Sequence, residues 1–334
     1  MNFSPVSKGN KKMSQGYPRL LGDIGGTNAR WAWQPAAGAP LQDISVLPCN
    51  ASASLQESAA SYLSGRGPER PHSAAMGIAT AVTGDEVSMT NNAWSFSIAA
   101  FKRDLGLEHC LVINDFTALA MSLPALQSSD LLAIGAGAAV ANSPIALIGP
   151  GTGLGVSGLL PGAQGAFSAL SGEGGHATVA PADDLESAVL ACLRQRFGHV
   201  SAERVLSGAG LINLYQAVCE LNGSAPQLLE ASAVTDKALA QSDTACVRAV
   251  QLFSSFLGNV AGNLALTLGA RGGLYVGGGI VPRLGSAFDA QLFRQRFEEK
   301  GRFQDYLRPI PTWVITASTP ALIGASRALD VMPQ

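Results

Sequence analysis

From Pro18 onward, short apolar runs rich in branched residues alternate with longer segments of helical period, the pattern of an α/β protein. Leu20-Leu21 leads into Gly22-Asp23-Ile24-Gly25-Gly26-Thr27-Asn28, and Ala29-Arg30-Trp31-Ala32-Trp33 then resumes the run. Strand, glycine turn and strand in that order predict a β-hairpin and not a strand-to-helix turn. Ala74–Thr83 and Glu86–Thr90 read as a further strand pair around Gly84-Asp85. Leu111-Val112-Ile113 is a short buried strand ending at Asn114-Asp115, where a helix rich in Ala and Leu begins. About 125 residues after the first hairpin, Ile145-Ala146-Leu147-Ile148 runs into Gly149-Pro150-Gly151-Thr152-Gly153-Leu154-Gly155 and continues as Val156-Ser157-Gly158-Leu159. Two such stretches predict a duplicated architecture with one glycine hairpin per lobe. Farther on, Phe253, Phe256, Leu257, Val260, Leu264 and Leu268 fall at helical spacing, and Gly269 stops that helix. Leu274-Tyr275-Val276 is a strand, and Gly277-Gly278-Gly279 opens a turn into another helix.

Composition narrows the function classes. Hydrophobic residues make up 47% of the 334 and charged ones 14%, so a large core is available and the body of the chain is not disordered. A net charge of −2 with no long basic run makes nucleic acid or an anionic membrane surface an improbable main partner. No uninterrupted stretch of about 20 apolar residues suggests a membrane span. The five cysteines are scattered without a CxxC pair, which argues against a zinc knuckle or a redox motif and suits reduced thiols in the cytoplasm. Residues 1–17 are polar and basic and read as a disordered leader, with Lys8, Lys11 and Lys12 solvated.

The glycine hairpins are the first candidate chemistry. A triphosphate needs many backbone N–H donors at close range, and Cβ atoms obstruct that approach. Asp23 adds a carboxylate for a phosphate-bound Mg²⁺, Thr27 a hydroxyl, and Gly151-Thr152-Gly153 a second cradle of the same kind. Either hairpin alone could be an ordinary tight turn; two, each ending a buried strand and bearing Thr, favour phosphate binding. A Walker A loop is excluded because no Gly-Lys dipeptide occurs, and the GxGxxG at Gly153, Gly155 and Gly158 opens no helix. Asn114-Asp115 sits at a strand's C-terminal end, where an Asp can accept an alcohol proton and an amide can both donate to and accept from hydroxyls; an Asp there also serves as a helix N-cap. Ser171-Gly172-Glu173-Gly174-Gly175-His176 packs an acid and an imidazole into a glycine-rich loop suited to a polyhydroxylated ligand. Glu203 reads as a surface helix residue behind a Ser201 cap, and Trp31, Trp33, Trp94 and Trp313 as packing residues.

Together, LLGDIGGTNAR (20–30), MTNNAWSFSI (89–98), INDFTALA (113–120), GPGTGLGV (149–156), SGEGGH (171–176), HVSAERVLSG (199–208) and VGGGIVPR (276–283) resemble the bacterial glucokinase family of the actin/hexokinase/heat-shock-chaperone superfamily. The resemblance runs from about Leu20 to about Arg327. It implies two RNase H-like α/β lobes around a central cleft, the smaller spanning 18–122 plus 316–334 and the larger 123–315. Asp115 matches the catalytic base; Asn114, Glu173, His176 and Glu203 match the groups that hold the sugar hydroxyls, which for Glu203 replaces the surface reading. Gly22, Asp23, Ile24, Gly25, Gly26 and Thr27 match the first phosphate loop, Gly151, Thr152 and Gly153 the second, and Gly277, Gly278 and Gly279 the adenosine-side turn. Pro150 and Ser171 stand where other residues are more usual. The implied activity is ATP- and Mg²⁺-dependent phosphorylation of glucose at its 6-hydroxyl, the first step of glycolysis, by a cytoplasmic homodimer. Another hexose, such as mannose or fructose, and a non-catalytic sugar-sensing regulator on the same fold are the alternatives. A chaperone-type ATPase would need a peptide-binding domain for which no length remains.

Overall fold

The computed structural model describes residues 16–332, which form two compact units. One comprises the described residues up to Ala125 together with those from Thr319; the other is Leu126–Ser318. Of the expected leader, residues 1–15 lie outside the described residues. Tyr17 is no part of a leader: the Arg19 guanidinium lies 4.0 Å from its ring centroid, and Arg19 is itself buried, bonded to the Ser326 carbonyl at 3.0 Å and to Asp330 at 2.8 Å.

The first unit contains strands β1 (Arg19–Ile24), β2 (Asn28–Gln34), β3 (Gln42–Pro48), β4 (Ser73–Ile78), β5 (Glu86–Ser88), β6 (Ser95–Ser97) and β7 (His109–Asn114). Five of them form a sheet in the order β3-β2-β1-β4-β7, with β1–β2 and β2–β3 antiparallel and β1–β4 and β4–β7 parallel. Strand alternation gives β1 two apolar faces: Leu20 and Ile24 pack with Trp31, Trp33 and Met76, while Leu21 packs with Leu322 and Ala325 of the helix Pro320–Asp330. That helix lies against the helix Asp115–Ser122 so closely that a Cβ on Gly324 would sit 1.6 Å from the Ala118 carbonyl oxygen. The expected pairing of Ala74–Thr83 with Glu86–Thr90 does not occur. Both edges of β4 are taken by β1 and β7, so β5 turns back instead onto β6, Val87 facing Phe96.

The second unit contains β8 (Leu131–Gly135), β9 (Ile145–Pro150), β10 (Leu154–Pro161), β11 (Phe167–Ser171), β12 (Leu274–Val276) and β13 (Thr312–Ile315), in the order β11-β10-β9-β12-β13-β8. The first five repeat the order and sense of the first unit's sheet, hairpin partners antiparallel and the next two strands parallel; β8 is an antiparallel addition beside β13. The duplicated α/β architecture is therefore real at the level of sheet topology. Its core surrounds the helix Thr244–Leu268, whose Phe253, Phe256 and Leu257 are fully buried and which ends at Gly269 in the left-handed region, φ 63°. This helix is long and apolar enough to cross a membrane by length and composition, but 72% of its most apolar window is buried inside the protein.

Candidate active site

In the first unit, sheet register brings two carboxylates to the same end of β1 and β7, the two strands that flank β4. Asp23 lies opposite Gly77 in the β1–β4 ladder, and Ile78 lies opposite Asn114 in the β4–β7 ladder. A Cβ on Gly77 would come within 2.8 Å of Ala118 Cβ and 3.3 Å of Asp115 Cα, so only glycine lets the helix carrying Asp115 seat here. The cap of that helix is Asn114 and not Asp115. Asn114 Oδ1 accepts the N–H groups of Phe116 at 2.9 Å and Thr117 at 3.2 Å, while its Nδ2 reaches the Thr80 carbonyl at 3.4 Å. The amide oxygen is thus committed, which leaves Asn114 only donor capacity for any further partner, less than the sequence suggested. Asp115 takes the first helical position, with Oδ1 accepting the Phe116 N–H at 2.8 Å. Burial pushes the Asp115 carboxyl up to about 6; the Phe116 N–H opposes this and the Asp23 charge adds to it. Burial also raises Asp23, opposed by Arg30, which pairs with it at 3.0 Å.

The first glycine turn follows directly. Gly22 and Ile24 lie within β1 between β2 and β4, Ile24 fully buried, so the turn atoms proper are Gly25, Gly26 and Thr27. Gly25 N–H closes the turn on Asn28 at 2.9 Å, Cys49 N–H bonds the Thr27 carbonyl at 2.8 Å, and Thr27 is exposed. Asn91 packs against Gly26, where a Cβ would lie 2.6 Å from its own, and Asn92 Nδ2 reaches the Gly25 carbonyl at 3.4 Å. A cavity of about 420 Å³ adjoins the turn, lined by Gly26, Thr27, Cys49, Asn92 and Trp94.

In the second unit, β9 and β10 are joined by Gly151, Thr152 and Gly153, with Gly151 N–H closing on the Gly153 carbonyl at 2.8 Å and Thr152 exposed. Gly155 and Gly158 of the formal GxGxxG lie in β10, consistent with rejecting a dinucleotide fingerprint. Glu203 sits in the short 3-10 turn Ala202–Arg204, and its Oε2 accepts the Leu154 N–H at 2.9 Å. The surface-helix reading of Glu203 is wrong. Ser201 makes no side-chain cap there, and a Cβ on Gly153 would meet the Glu203 carboxylate oxygen at 2.5 Å. Glu173 and His176 are exposed in their loop. The neighbouring glycines serve packing before any ligand: a Cβ on Gly174 would lie 2.8 Å from Val156, and one on Gly175 2.1 Å from the Leu154 carbonyl oxygen. Gly277 N–H bonds the Ile148 carbonyl at 2.8 Å. Gly278, at φ 79°, would with a Cβ approach the Pro150 oxygen to 2.3 Å, whereas Gly279 faces open space. The triglycine turn is thus laid against the strand that feeds the second glycine turn.

Sequence reasoning passed over Arg30, Gly77, Asn91, Asn92 and Gly208 as parts of these constellations. Only Arg30 carried a usable signal, since its place across a two-strand hairpin sets it opposite Asp23.

The comparisons with known proteins place the chain in a family and match its fold. A family model described as Glucokinase matches residues 20–332. A glucokinase from Aromatoleum aromaticum is 53% identical over 318 residues, 95% of this chain and 96% of that one. A crystal structure of a glucokinase from an Antarctic psychrotroph superposes with a TM-score of 0.88 at 37% identity, covering 94% of this chain and 99% of that one. A ROK family glucokinase from Streptomyces griseus, solved with glucose and AMPPNP, shares the fold alone: TM-score 0.61 at 17% identity over 93% of this chain and 98% of that one. The chain belongs to the glucokinase family.

Proposed function

We propose that this protein transfers the γ-phosphoryl group of ATP to the 6-hydroxyl of glucose, yielding glucose 6-phosphate and ADP at the head of glycolysis. The observation that carries the proposal is the Asp115 carboxyl, raised to about 6 at the start of its helix, beside the Asn114 amide at the end of β7. The family resemblance assigns the 6-hydroxyl and its proton to Asp115, a neighbouring hydroxyl to Asn114, and the remaining hydroxyls to Glu173, His176 and Glu203. The same resemblance assigns the phosphates to the backbone N–H groups and Thr hydroxyls of the turns Gly25–Thr27 and Gly151–Gly153, and the adenosine side to the Gly277–Gly279 turn. A loose phosphoryl-transfer transition state asks little base strength, so positioning supplies most of the acceleration.

Magnesium fits as an ion brought in by the nucleotide. Among the described residues no group of three or more His, Cys, Asp or Glu is placed to hold a metal, and Asp23 is already paired with Arg30, which leaves it an indirect role through water. Asp23 would hold the ion through water, and the ion would supply neutralisation of the phosphate charge. We also propose a cytoplasmic homodimer: five free cysteines suit a reducing compartment, and the dimer rests on the family resemblance. The test is ADP release with a panel of hexoses, ATP and Mg²⁺. Glucose-dependent release with the highest kcat/KM for glucose supports the proposal; a higher value for mannose or fructose reassigns the substrate, and release independent of sugar removes the kinase.

A further inference from the structure

Strand β10 starts at Leu154, the residue after the second glycine turn; its N–H is engaged by a residue assigned to the sugar, and its carbonyl packs against the loop that carries two others. Its N–H donates to Glu203 Oε2 at 2.9 Å, and its carbonyl lies where a Cβ on Gly175, in the Glu173–His176 loop, would approach to 2.1 Å. The opposite stem of the turn is held from the same segment as Glu203: Gly208 N–H bonds the Gly151 carbonyl at 3.0 Å. Ser207 ties that segment together, its hydroxyl donating to the Glu203 carbonyl at 2.8 Å and accepting the Gly210 N–H at 2.9 Å. Residues 203–208 therefore grip the turn at both ends, on one side through a carboxylate.

We propose that Glu203 is a positioning residue for the second phosphate turn as well as a sugar ligand, and that it couples sugar binding to nucleotide binding. The inference rests on the kinase proposal above. A carboxylate has two oxygens with about four acceptor sites. Oε2 holds the Leu154 N–H, and Oε1 is the oxygen a sugar hydroxyl engages. A sugar on Oε1 fixes the Glu203 rotamer and with it the turn, so a nucleotide that binds afterwards orders less of the protein. Linkage makes the effect mutual: the nucleotide tightens the sugar by the same factor.

The test is calorimetric binding of AMPPNP with Mg²⁺, with and without saturating glucose, on the full chain. Glucose should tighten AMPPNP by about 5- to 150-fold in the wild type, the usual span of such coupling. Glu203→Ala should weaken AMPPNP by about 5-fold or more even without sugar, the share expected of a bond to a charged acceptor, and should abolish the coupling. Glu203→Gln keeps an oxygen for Leu154 and should retain sugar-free AMPPNP affinity while losing glucose affinity. His176→Ala should lose glucose affinity alone. A folded Glu203→Ala that binds AMPPNP like the wild type without sugar overturns the proposal. A check that needs no variant is hydrogen exchange: glucose should slow exchange of the peptide containing Leu154, and unchanged exchange contradicts the coupling. Either negative result alongside glucose-dependent ADP release sinks only this inference, whereas sugar-independent ADP release sinks the kinase proposal itself.

Discussion

The two glycine turns share a motif and a sheet topology but are held by different chemistry. The first is held by neutral groups, the Cys49 N–H on Thr27, the Asn92 amide on Gly25 and the Asn91 side chain against Gly26. Two acidic residues of that unit, Asp23 and Asp115, stand at the ends of β1 and β7, where burial raises both and the Asp23 charge raises Asp115 further. The second turn is held by an acidic side chain, Glu203, directly on the strand that leaves it. One unit therefore braces its turn with neutral groups and leaves its carboxylates at the strand ends, and the other commits a carboxylate to the turn itself. Sheet order is kept in the duplication while the bonding around each turn differs.

The sharpest way to break this comparison is to remove each acid and ask which kinetic constant moves. Asp115→Asn should lower kcat by about 10²–10⁴, the range for loss of a general base, with little change in glucose affinity. Next come the glycines of the second turn. Gly153→Ala drives a methyl into the Glu203 carboxylate and should raise KM for both glucose and ATP, by about tenfold each. Gly151→Ala meets no protein atom nearer than 4.0 Å, so it should leave Tm within error and raise KM for ATP alone. Equal effects of the two substitutions on glucose KM would erase the distinction.

The smallest effect concerns stability. A folded-state carboxyl raised to about 6 from its ordinary 3.8 binds more protons folded than unfolded between those values. Its ionisation therefore destabilises the fold above about pH 6, and that penalty fades as pH falls toward 4. Asp115→Asn should accordingly be more stable than the wild type at pH 7, by on the order of 2 kcal/mol, and converge with it near pH 4. Thermal melts across that range check both the sign and the window, and a destabilised variant at pH 7 would refute the burial account.

Much of this was legible in the sequence because it is local. Strand–glycine–strand punctuation located both hairpins, and the spacing of Phe253, Phe256, Leu257 and Val260 located the long helix ending at Gly269. What escaped depends on partners distant along the chain. Glu203 looked like surface because Leu154, the group it holds, lies 49 residues away. Gly174 and Gly175 looked like a concession to a ligand, yet Val156 and Leu154 occupy the space their Cβ atoms would need. Pairing β5 with its predecessor failed because nothing in residues 74–90 reveals that β4 already has two neighbours. The cap at Asn114 was misplaced by one residue, since Asn and Asp cap comparably and only tertiary context decides between adjacent candidates.

The most direct test is a single-turnover experiment with γ-labelled ATP, excess enzyme and glucose, on the wild type and on Asp115→Asn. Label should reach glucose in the wild type and do so at least about a hundredfold more slowly in the variant, while both bind glucose alike. Transfer at the wild-type rate by the variant, or no labelled glucose from the wild type, would contradict the account.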